Sequence, residues 1–420
     1  MKKYIKVYDY YKKLIESGQL KQGDRLPSIR SATSILSVSK TTVQSAYFAL
    51  QADGYVIATA KSGYYVTEQK TISDTKQNET EEIVNIKYDF KSGDADAESF
   101  DIKLWQRYIK NALRQENRLL SYGDVQGEED LRSVLSDYIR AKRNVTASPD
   151  RIVVGAGVQC LLSILCSLIK ERDTVSFPDN SFVQGINLFE DYGFEVHTRY
   201  KNAKIIYVSP SHMTSYGNVM PMKRRLELVK YSEENKSLII EDDFDSDFMY
   251  QTKPTPSLYA LSGCDNVVYM GSFSKVLIPG IRISFMVLTE ELAKLFRQNR
   301  HKYAQAASKT EQIALCQYIR DGHISRQIRK IRRHYTAKTL SLYDEICALL
   351  PEAKTEISEN GLQVKIECDF DKDISIFEKN STSVNIVNYS NGKLRLSLTP
   401  SAINDDEIEN AAKALAKILK

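Results

Sequence analysis

The chemistry in this sequence gathers at one lysine. Gly271-Ser272-Phe273-Ser274-Lys275 is followed by Pro279, Gly280 and Arg282. Apolar runs flank it, Val267-Val268-Tyr269-Met270 before and Ile283-Ser284-Phe285-Met286-Val287-Leu288 after. The runs read as buried strands. A lysine held in a tight polar turn between them is costly unless its amine has a partner or a covalent use. Two hydroxyls and an arginine within a few residues make an anion, a phosphate in particular, its natural neighbour. An amine for a Schiff base beside donors for a phosphate is what pyridoxal phosphate requires. On the pentapeptide alone, a solvated lysine in a β-turn is the better reading, so the decision rests with the elements around it.

Those elements belong to a chain of 420 residues, long enough for two or three domains. Apolar content of 42% and charged content of 27% are those of a soluble globular protein. The longest apolar stretch, Val158 to Ile169, is too short to cross a bilayer, and no charged-then-apolar signal opens the chain, so a cytoplasmic protein without a membrane partner is expected. Six cysteines and five histidines are scattered without the pairing of a metal site, so no metal is expected and the thiols read as reduced. Charge is uneven. Residues 1–70 hold nine Lys and two Arg against three Asp and two Glu, a surplus of six positive charges, while the remainder carries −2. A basic head on a near-neutral body points to a polyanion at the head alone.

In the head, Ile5, Tyr8, Tyr11 and Ile15 recur at helical spacing up to Ser17-Gly18. Ser28 can cap a second helix to about Leu36, and Ser39 a third to Asp53, where Gly54 ends it. The third helix places Val43, Ala46, Tyr47 and Leu50 on one face and Lys40, Thr41, Gln44 and Ser45 on the other. Short polar side chains and a cation at the start of an exposed helical face suit base edges and phosphates in a major groove. Strand candidates Tyr55–Ala58 and Gly63–Val66, joined by a turn with Lys61, Ser62 and Gly63, complete a winged helix-turn-helix. At this point the head resembles the GntR family through Ser17-Gly18-Gln19-Leu20-Lys21-Gln22-Gly23-Asp24-Arg25-Leu26-Pro27-Ser28-Ile29-Arg30, Val38-Ser39-Lys40-Thr41-Thr42-Val43 and Gly54-Tyr55-Val56. The resemblance implies contacts to double-stranded operator DNA from Ser28, Arg30, Ser39, Lys40, Thr41, Thr42 and Gln44, with Lys61, Ser62 and Gly63 at the wing. Lys40 stands where the family often has arginine; it supplies a phosphate contact but not a bidentate base contact.

Residues 68–87 are polar and acidic, a composition for an extended tether. Beyond it strand-like runs (Arg151–Val154, Thr174–Phe177, Lys204–Val208, Leu238–Asp242, Val267–Met270, Ile283–Leu288) alternate with helical ones. That alternation argues for a largely parallel sheet covered by helices, with ligands at the carboxyl ends of the strands. From about Thr310 long charged helices and the strands Leu362–Ile366 and Leu394–Leu398 read as a smaller α+β lobe. The expected domains are therefore a winged helix over 1–67, a linker over 68–87, a large α/β domain over 88–309 and a small lobe over 310–420.

The body resembles the fold-type I aminotransferases, the α/β class of pyridoxal phosphate-dependent transferases, and in detail the MocR subfamily of GntR regulators. The resemblance runs through Phe90-Lys91-Ser92-Gly93, Tyr122-Gly123-Asp124, Gly155-Ala156-Gly157-Val158-Gln159, Ile240-Glu241-Asp242-Asp243-Phe244, the Lys275 turn and Leu394-Arg395-Leu396-Ser397. It implies pyridoxal 5'-phosphate as a Schiff base on Lys275, with Asp242 paired to the ring nitrogen. Ser272, Ser274, Arg282 and the amides of Gly157, Val158 and Gln159 would hold its phosphate, Phe182 would pack on the ring, and Arg395 would take an effector's carboxylate. A calcium loop through Asp243, Asp245 and Asp247 fails, because Phe248 and Pro254 occupy the places of its glycine and its glutamate. Two departures stand out: Phe244 replaces a tyrosine whose hydroxyl would reach the cofactor's phenolic oxygen, and Ser215 replaces a proline two residues before Gly217.

The function implied is a regulator that binds operator DNA with its head and senses pyridoxal phosphate or an amino compound in its body, as a head-to-tail homodimer without sustained turnover. A working aminotransferase is the alternative; a body that has lost its cofactor is disfavoured by Asp242, Lys275, Arg282 and Arg395 occurring together.

Overall fold

A computed structural model describes residues 3–59, 62–67, 86–91, 98–213, 217–244, 246, 256–263 and 266–420. Lys61, Ser215, Asp245, Asp247 and the expected tether apart from its last two residues lie outside these. The chain forms two compact units, Met1–Ile83 and Val84–Lys420.

In the first unit, α1 (Lys3–Glu16), α2 (Ile29–Leu36) and α3 (Lys40–Ala52) are followed by a hairpin of β1 (Val56–Thr59) and β2 (Gly63–Val66). Both caps expected from the sequence form: Ser28 Oγ accepts from the amide of Ser31, and Ser39 Oγ from that of Thr42. Ser37 adopts a left-handed conformation (φ 51°) and closes α2, so α3 starts after only three residues. Val43, Ala46, Tyr47 and Leu50 are fully buried, and Tyr47 is ringed edge-on by Tyr11 and Tyr64. The hairpin pairs Val56 with Val66 through Thr59 with Gly63.

The second unit opens with β3 (Tyr88–Asp89), α4 (Ile102–Leu113), α5 (Glu116–Leu119) and α6 (Glu129–Arg143). The large domain continues through β4 (Ile152–Gly155), α7 (Val158–Leu168), β5 (Thr174–Phe177), α8 (Val183–Asp191), β6 (Glu195–Thr198), β7 (Ile205–Val208), α9 (Met222–Asn235), β8 (Leu238–Asp242), α10 (Leu258–Leu261), β9 (Val267–Ser272), β10 (Ser284–Val287), α11 (Glu290–Asn299) and α12 (Lys309–Arg320). Then come α13 (His323–Leu349), β11 (Lys354–Ile357), β12 (Val364–Asp369), α14 (Ile376–Lys379), β13 (Thr382–Ser383), β14 (Asn385–Ser390), β15 (Lys393–Leu398) and α15 (Ile408–Leu419).

Seven strands form the main sheet in the order β4-β10-β9-β8-β7-β5-β6. β5 to β9 run parallel, and β10 is antiparallel to both β4 and β9. Helices pack on both faces through two apolar cores, as the near-continuous apolar strands require. Strand β6 had no counterpart in the sequence reading. Its Glu-Val-His-Thr lies at the sheet edge with no buried residue, so it carries no apolar signal.

The small lobe is an antiparallel sheet in the order β11-β12-β15-β14, with α15 and the end of α13 on one face. The boundary expected at 309/310 falls later. Ile313, Leu315, Ile324, Ile328 and Ile331 pack in the same core as Phe285 of the large sheet, whereas Leu342 and Ile346 belong to the small-lobe core. The crossing lies inside α13, whose apolar stripe serves both lobes. At the other end, Tyr88 and Phe90 also join the small lobe, with β3 pairing parallel to β13. Among the described residues no helix is long and apolar enough to cross a membrane.

Candidate cofactor site and DNA-binding face

A cavity of about 360 Å³ opens at the carboxyl ends of β5, β7, β8 and β9. Its walls include Val158, Phe182, Asp242, Phe244, Ser272, Ser274 and Lys275, all singled out from the sequence. Tyr207, Ser209 and His212 line it too, and the sequence reading had missed them.

Lys275 lies three residues past the end of β9, and its Nζ stands over the ring of Phe244, 4.9 Å from the centroid. The hydroxyls near it are ordered. Ser284 donates to Ser272 Oγ at 3.0 Å and Ser272 donates to Ser274 Oγ at 3.1 Å, while the amide of Ser274 also donates to Ser272 Oγ. This sequence of donors leaves the Ser274 proton for an acceptor in the cavity.

Asp242 ends β8 and is 6% exposed; its Oδ2 accepts a 2.5 Å hydrogen bond from the Tyr207 hydroxyl. Burial, and then the carboxylate beside it, push the Tyr207 hydroxyl well above its ordinary range, so it stays a donor. Tyr207 is held in turn by stacking on Phe177 at 4.8 Å and Phe182 at 5.5 Å. Phe182 thus forms the cavity wall through a stack on Tyr207.

The backbone supplies the third side. α7 begins at Val158 without a side-chain cap, so the amides of its first turn are open to an anion. Gly157 precedes it at φ 94°, and a Cβ there would lie 2.3 Å from Nη2 of Arg282. Glycine is needed both for the backbone and for that close approach. Arg282 is itself in a left-handed conformation (φ 51°) after the turn Pro279–Ile281, which aims its exposed side chain back at Gly157. Gln159 is exposed on the first turn of α7 and is not on the cavity wall. Arg395 is also not brought to the wall. The pleat of β15 buries Leu394, Leu396 and Leu398 and turns Arg395 to the other face, where its Nε donates to Glu367 across the sheet at 2.8 Å.

Behind the cavity lies a buried charged frame. Asp243 accepts from Arg143 Nε at 2.7 Å and Nη2 at 3.2 Å, from the Tyr269 hydroxyl at 2.6 Å and from Ser211 Oγ at 3.1 Å. Its carboxylate is thereby engaged within the protein. Glu241 accepts from the amides of Leu258 and Tyr259 at 2.8 and 2.9 Å, and complete burial, with Asp243 adding to it, pushes its carboxyl up to about 7. Arg225, also fully buried, donates to the carbonyls of Met220, Pro256 and Pro210 and so fixes the segment that follows β7. No cluster of His, Cys, Asp and Glu among the described residues could hold a metal ion.

In the first unit, Ser28, Arg30, Ser39, Lys40, Thr41 and Gln44 are exposed at the starts of α2 and α3, with Thr42 half-buried. Ser39 Oγ also meets Thr41 Oγ1 at 3.0 Å and Thr42 Oγ1 at 2.8 Å, so three hydroxyls crowd one helix end. At the wing Ser62 Oγ meets the Tyr65 hydroxyl at 2.5 Å. A Cβ at Gly63 would lie 3.0 Å from Nε of Arg25, an exposed cation that the sequence reading had not assigned to this face.

Pyridoxal phosphate, the cofactor of the aminotransferase fold, fits this donor set. An amine, a tyrosine-held carboxylate and a hydroxyl relay converge on one cavity, the Gly157 turn that meets Arg282 directly precedes Val158 of its wall, and Ser209 Oγ is buried among the same walls without a protein hydrogen-bond partner. The model of the aminotransferase class I and II family matches residues 85–415, and that of the bacterial regulatory proteins of the gntR family matches residues 3–66. The chain is 31% identical over 388 residues to the uncharacterized HTH-type transcriptional regulator YdeL of Bacillus subtilis, spanning 87% of this chain and 83% of YdeL. It is 27% identical over 400 residues to the probable rhizopine catabolism regulatory protein MocR of Rhizobium meliloti, spanning 87% and 81%. The crystal structure of an archaeal alanine:glyoxylate aminotransferase shares the fold of the body, with a TM-score of 0.70 at 21% identity over 79% of this chain and 90% of that one. With a gntR head and an aminotransferase class I and II body in one polypeptide, the chain belongs to the MocR-type HTH transcriptional regulators of the GntR family.

Proposed function

We propose that the body senses pyridoxal phosphate, or an amino compound that meets it, and that the occupied cavity changes how the head grips operator DNA. The observation that carries this reading is the cavity in which Lys275, Asp242 and the Ser272–Ser274 relay converge, in a chain whose head presents hydroxyls and a cation at the start of α3. When bound, the cofactor supplies an aldehyde to the Lys275 amine and a ring that draws electrons toward its nitrogen. Asp242, oriented by Tyr207, would hold the proton on that nitrogen. Ser274, the first amides of α7 and Arg282 would hold the phosphate. Phe244, beneath Lys275 Nζ, has no hydroxyl to offer the phenolic oxygen.

A DNA-binding head on the same chain, as in the HTH-type regulators it resembles, favours sensing over sustained turnover. The protein acts in the compartment that holds its DNA, as a homodimer whose two heads meet two half-sites. For the switch to work, the ligand must bind one arrangement of the body more tightly than another.

Two substitutions test the two halves. Lys275→Ala is expected to abolish the visible absorbance of protein incubated with pyridoxal phosphate; an unchanged spectrum removes the covalent site. Lys40→Ala is expected to weaken operator binding and to lower the slope of log affinity against log salt by about 1, the loss of one phosphate contact. An unchanged slope contradicts the proposed face.

A further inference from the structure

We infer that His212 supplies the donor that Phe244 lacks, and that Asn360 of the small lobe fixes it in the tautomer that can donate. The inference rests on reading the cavity as a pyridoxal phosphate site. His212 lines the cavity, and its ring centroid is 5.4 Å from that of Phe244, which lies in turn beneath Lys275 Nζ. The imidazole therefore neighbours the place where a tyrosine hydroxyl is missing.

The tautomer follows from hydrogen-bond accounting. Asn360 is 1% exposed, and its Oδ1 accepts from the backbone amide of Leu362 at 3.2 Å and from Ser358 Oγ at 2.6 Å. A backbone N–H can only donate, so the atom it meets is the amide oxygen and the side chain cannot be turned over. The Nδ2 group then faces His212 Nδ1 at 3.3 Å. Since Nδ2 can only donate, Nδ1 accepts, and the proton of the neutral imidazole is on Nε2. The ring is thus a neutral donor through its other nitrogen, the form needed to meet an ionised phenolic oxygen.

The loop that carries Asn360 also clasps the chain that follows His212 at two further points. The amide of Val219 donates to Glu359 Oε2 at 2.6 Å. Gly217 adopts φ 67°, and a Cβ there would lie 2.5 Å from Gln363 Oε1 and 3.0 Å from Ser358 Cβ. The loop is itself closed by paired bonds between Ser358 and Gln363. Asn360 is accordingly a positioning residue and His212 a ligand contact. Movement of residues 358–363 away from the wall removes the constraint on the donor, which ties the grip on the cofactor to the place of the small lobe.

The test has one readout without cofactor and one with it. In the cofactor-free full chain, nitrogen-15 NMR of the histidine rings is expected to show His212 with its proton on Nε2, and Asn360→Asp, whose carboxylate only accepts, to put a proton on Nδ1. A wild-type ring protonated on Nδ1 alone, or a tautomer indifferent to Asn360→Asp, overturns the positioning role. In calorimetric titration with pyridoxal phosphate, His212→Ala is expected to lose roughly 10–100-fold in affinity, the effect of one hydrogen bond to a charged acceptor. His212→Gln, which keeps an N–H donor, is expected to recover most of that loss. The analogue methylated on its phenolic oxygen is expected to bind wild type and His212→Ala alike. Equal affinity of wild type and His212→Ala for pyridoxal phosphate overturns the ligand contact. A wild type that does not bind pyridoxal phosphate at all refutes the cofactor site itself and the contact with it, while the NMR result still decides whether Asn360 sets the ring.

Discussion

The two sides of β8 put neighbouring acids to opposite uses. Asp242 faces the cavity with the Tyr207 hydroxyl on Oδ2, whereas Asp243 and Glu241 turn to the other side, among Arg143, Tyr269 and the amides of Leu258 and Tyr259. The pleat alone separates them, since successive side chains on a strand point to opposite faces. One side sets a carboxylate on the cavity wall, and the other spends two carboxylates on holding the frame. A run of acids such as Glu-Asp-Asp therefore says little by composition, and a great deal once the strand assigns each residue a side.

Three substitutions can break or sharpen that contrast. The largest effect on stability is expected from Asp243→Ala, which leaves Arg143 buried without its carboxylate. Unfolding in urea, followed by the fluorescence of Trp105, the one tryptophan in the sequence, should show a loss of about 3–5 kcal/mol. A loss under about 1 kcal/mol would make Asp243 no more structural than Asp242. Next comes Asp242→Asn. Its amide oxygen still accepts from Tyr207, so stability should move by less than about 1 kcal/mol, while affinity for pyridoxal phosphate falls roughly 10–100-fold in calorimetric titration.

The third effect concerns pH. The folded protein holds the Glu241 proton up to about 7, against an ordinary 4.5, so between those values the unfolded chain binds fewer protons than the folded one. The contribution of this group is fully present below about 4.5 and is lost as pH rises to about 7. Unfolding free energy measured at pH 5, 6 and 7.5 should therefore decline more steeply in wild type than in Glu241→Gln, by about 2–3 kcal/mol over the range. Parallel pH profiles would show that Glu241 is charged throughout.

How much of this was legible in the sequence depended on whether the signal was local. The two helix caps, Ser28 and Ser39, sit where the sequence placed them, because capping involves only residues three apart. Lys275, Asp242 and Ser272 stand at strand ends that apolar runs announced, so the topology carries them to one cavity. Tyr207, His212 and Asn360 were not legible. A tyrosine inside a strand reads as core until Asp242 is seen beside it, and the meeting of His212 with Asn360 joins positions 148 residues apart. Arg395 shows the opposite case. Its motif pointed to a ligand, but the register of β12 with β15 sets Glu367 directly opposite, and the ion pair forms there. Charged surface residues in α12 and α13 hid an apolar stripe that joins the core of the large sheet.

That long helix has a mechanical consequence. With 27 residues at about 1.5 Å each, α13 is a rod of roughly 40 Å, clamped at its start in one lobe and at its end in the other. Near its middle the buried Lys338 reaches Asp405 at 3.2 Å, pinning the approach to α15. No flexible peptide separates the two clamps, so the C-terminal lobe has no simple hinge at this crossing. Any tilt of that lobe carries the end of the helix with it, and a small rotation at the pivot becomes a larger travel at the far end of the rod.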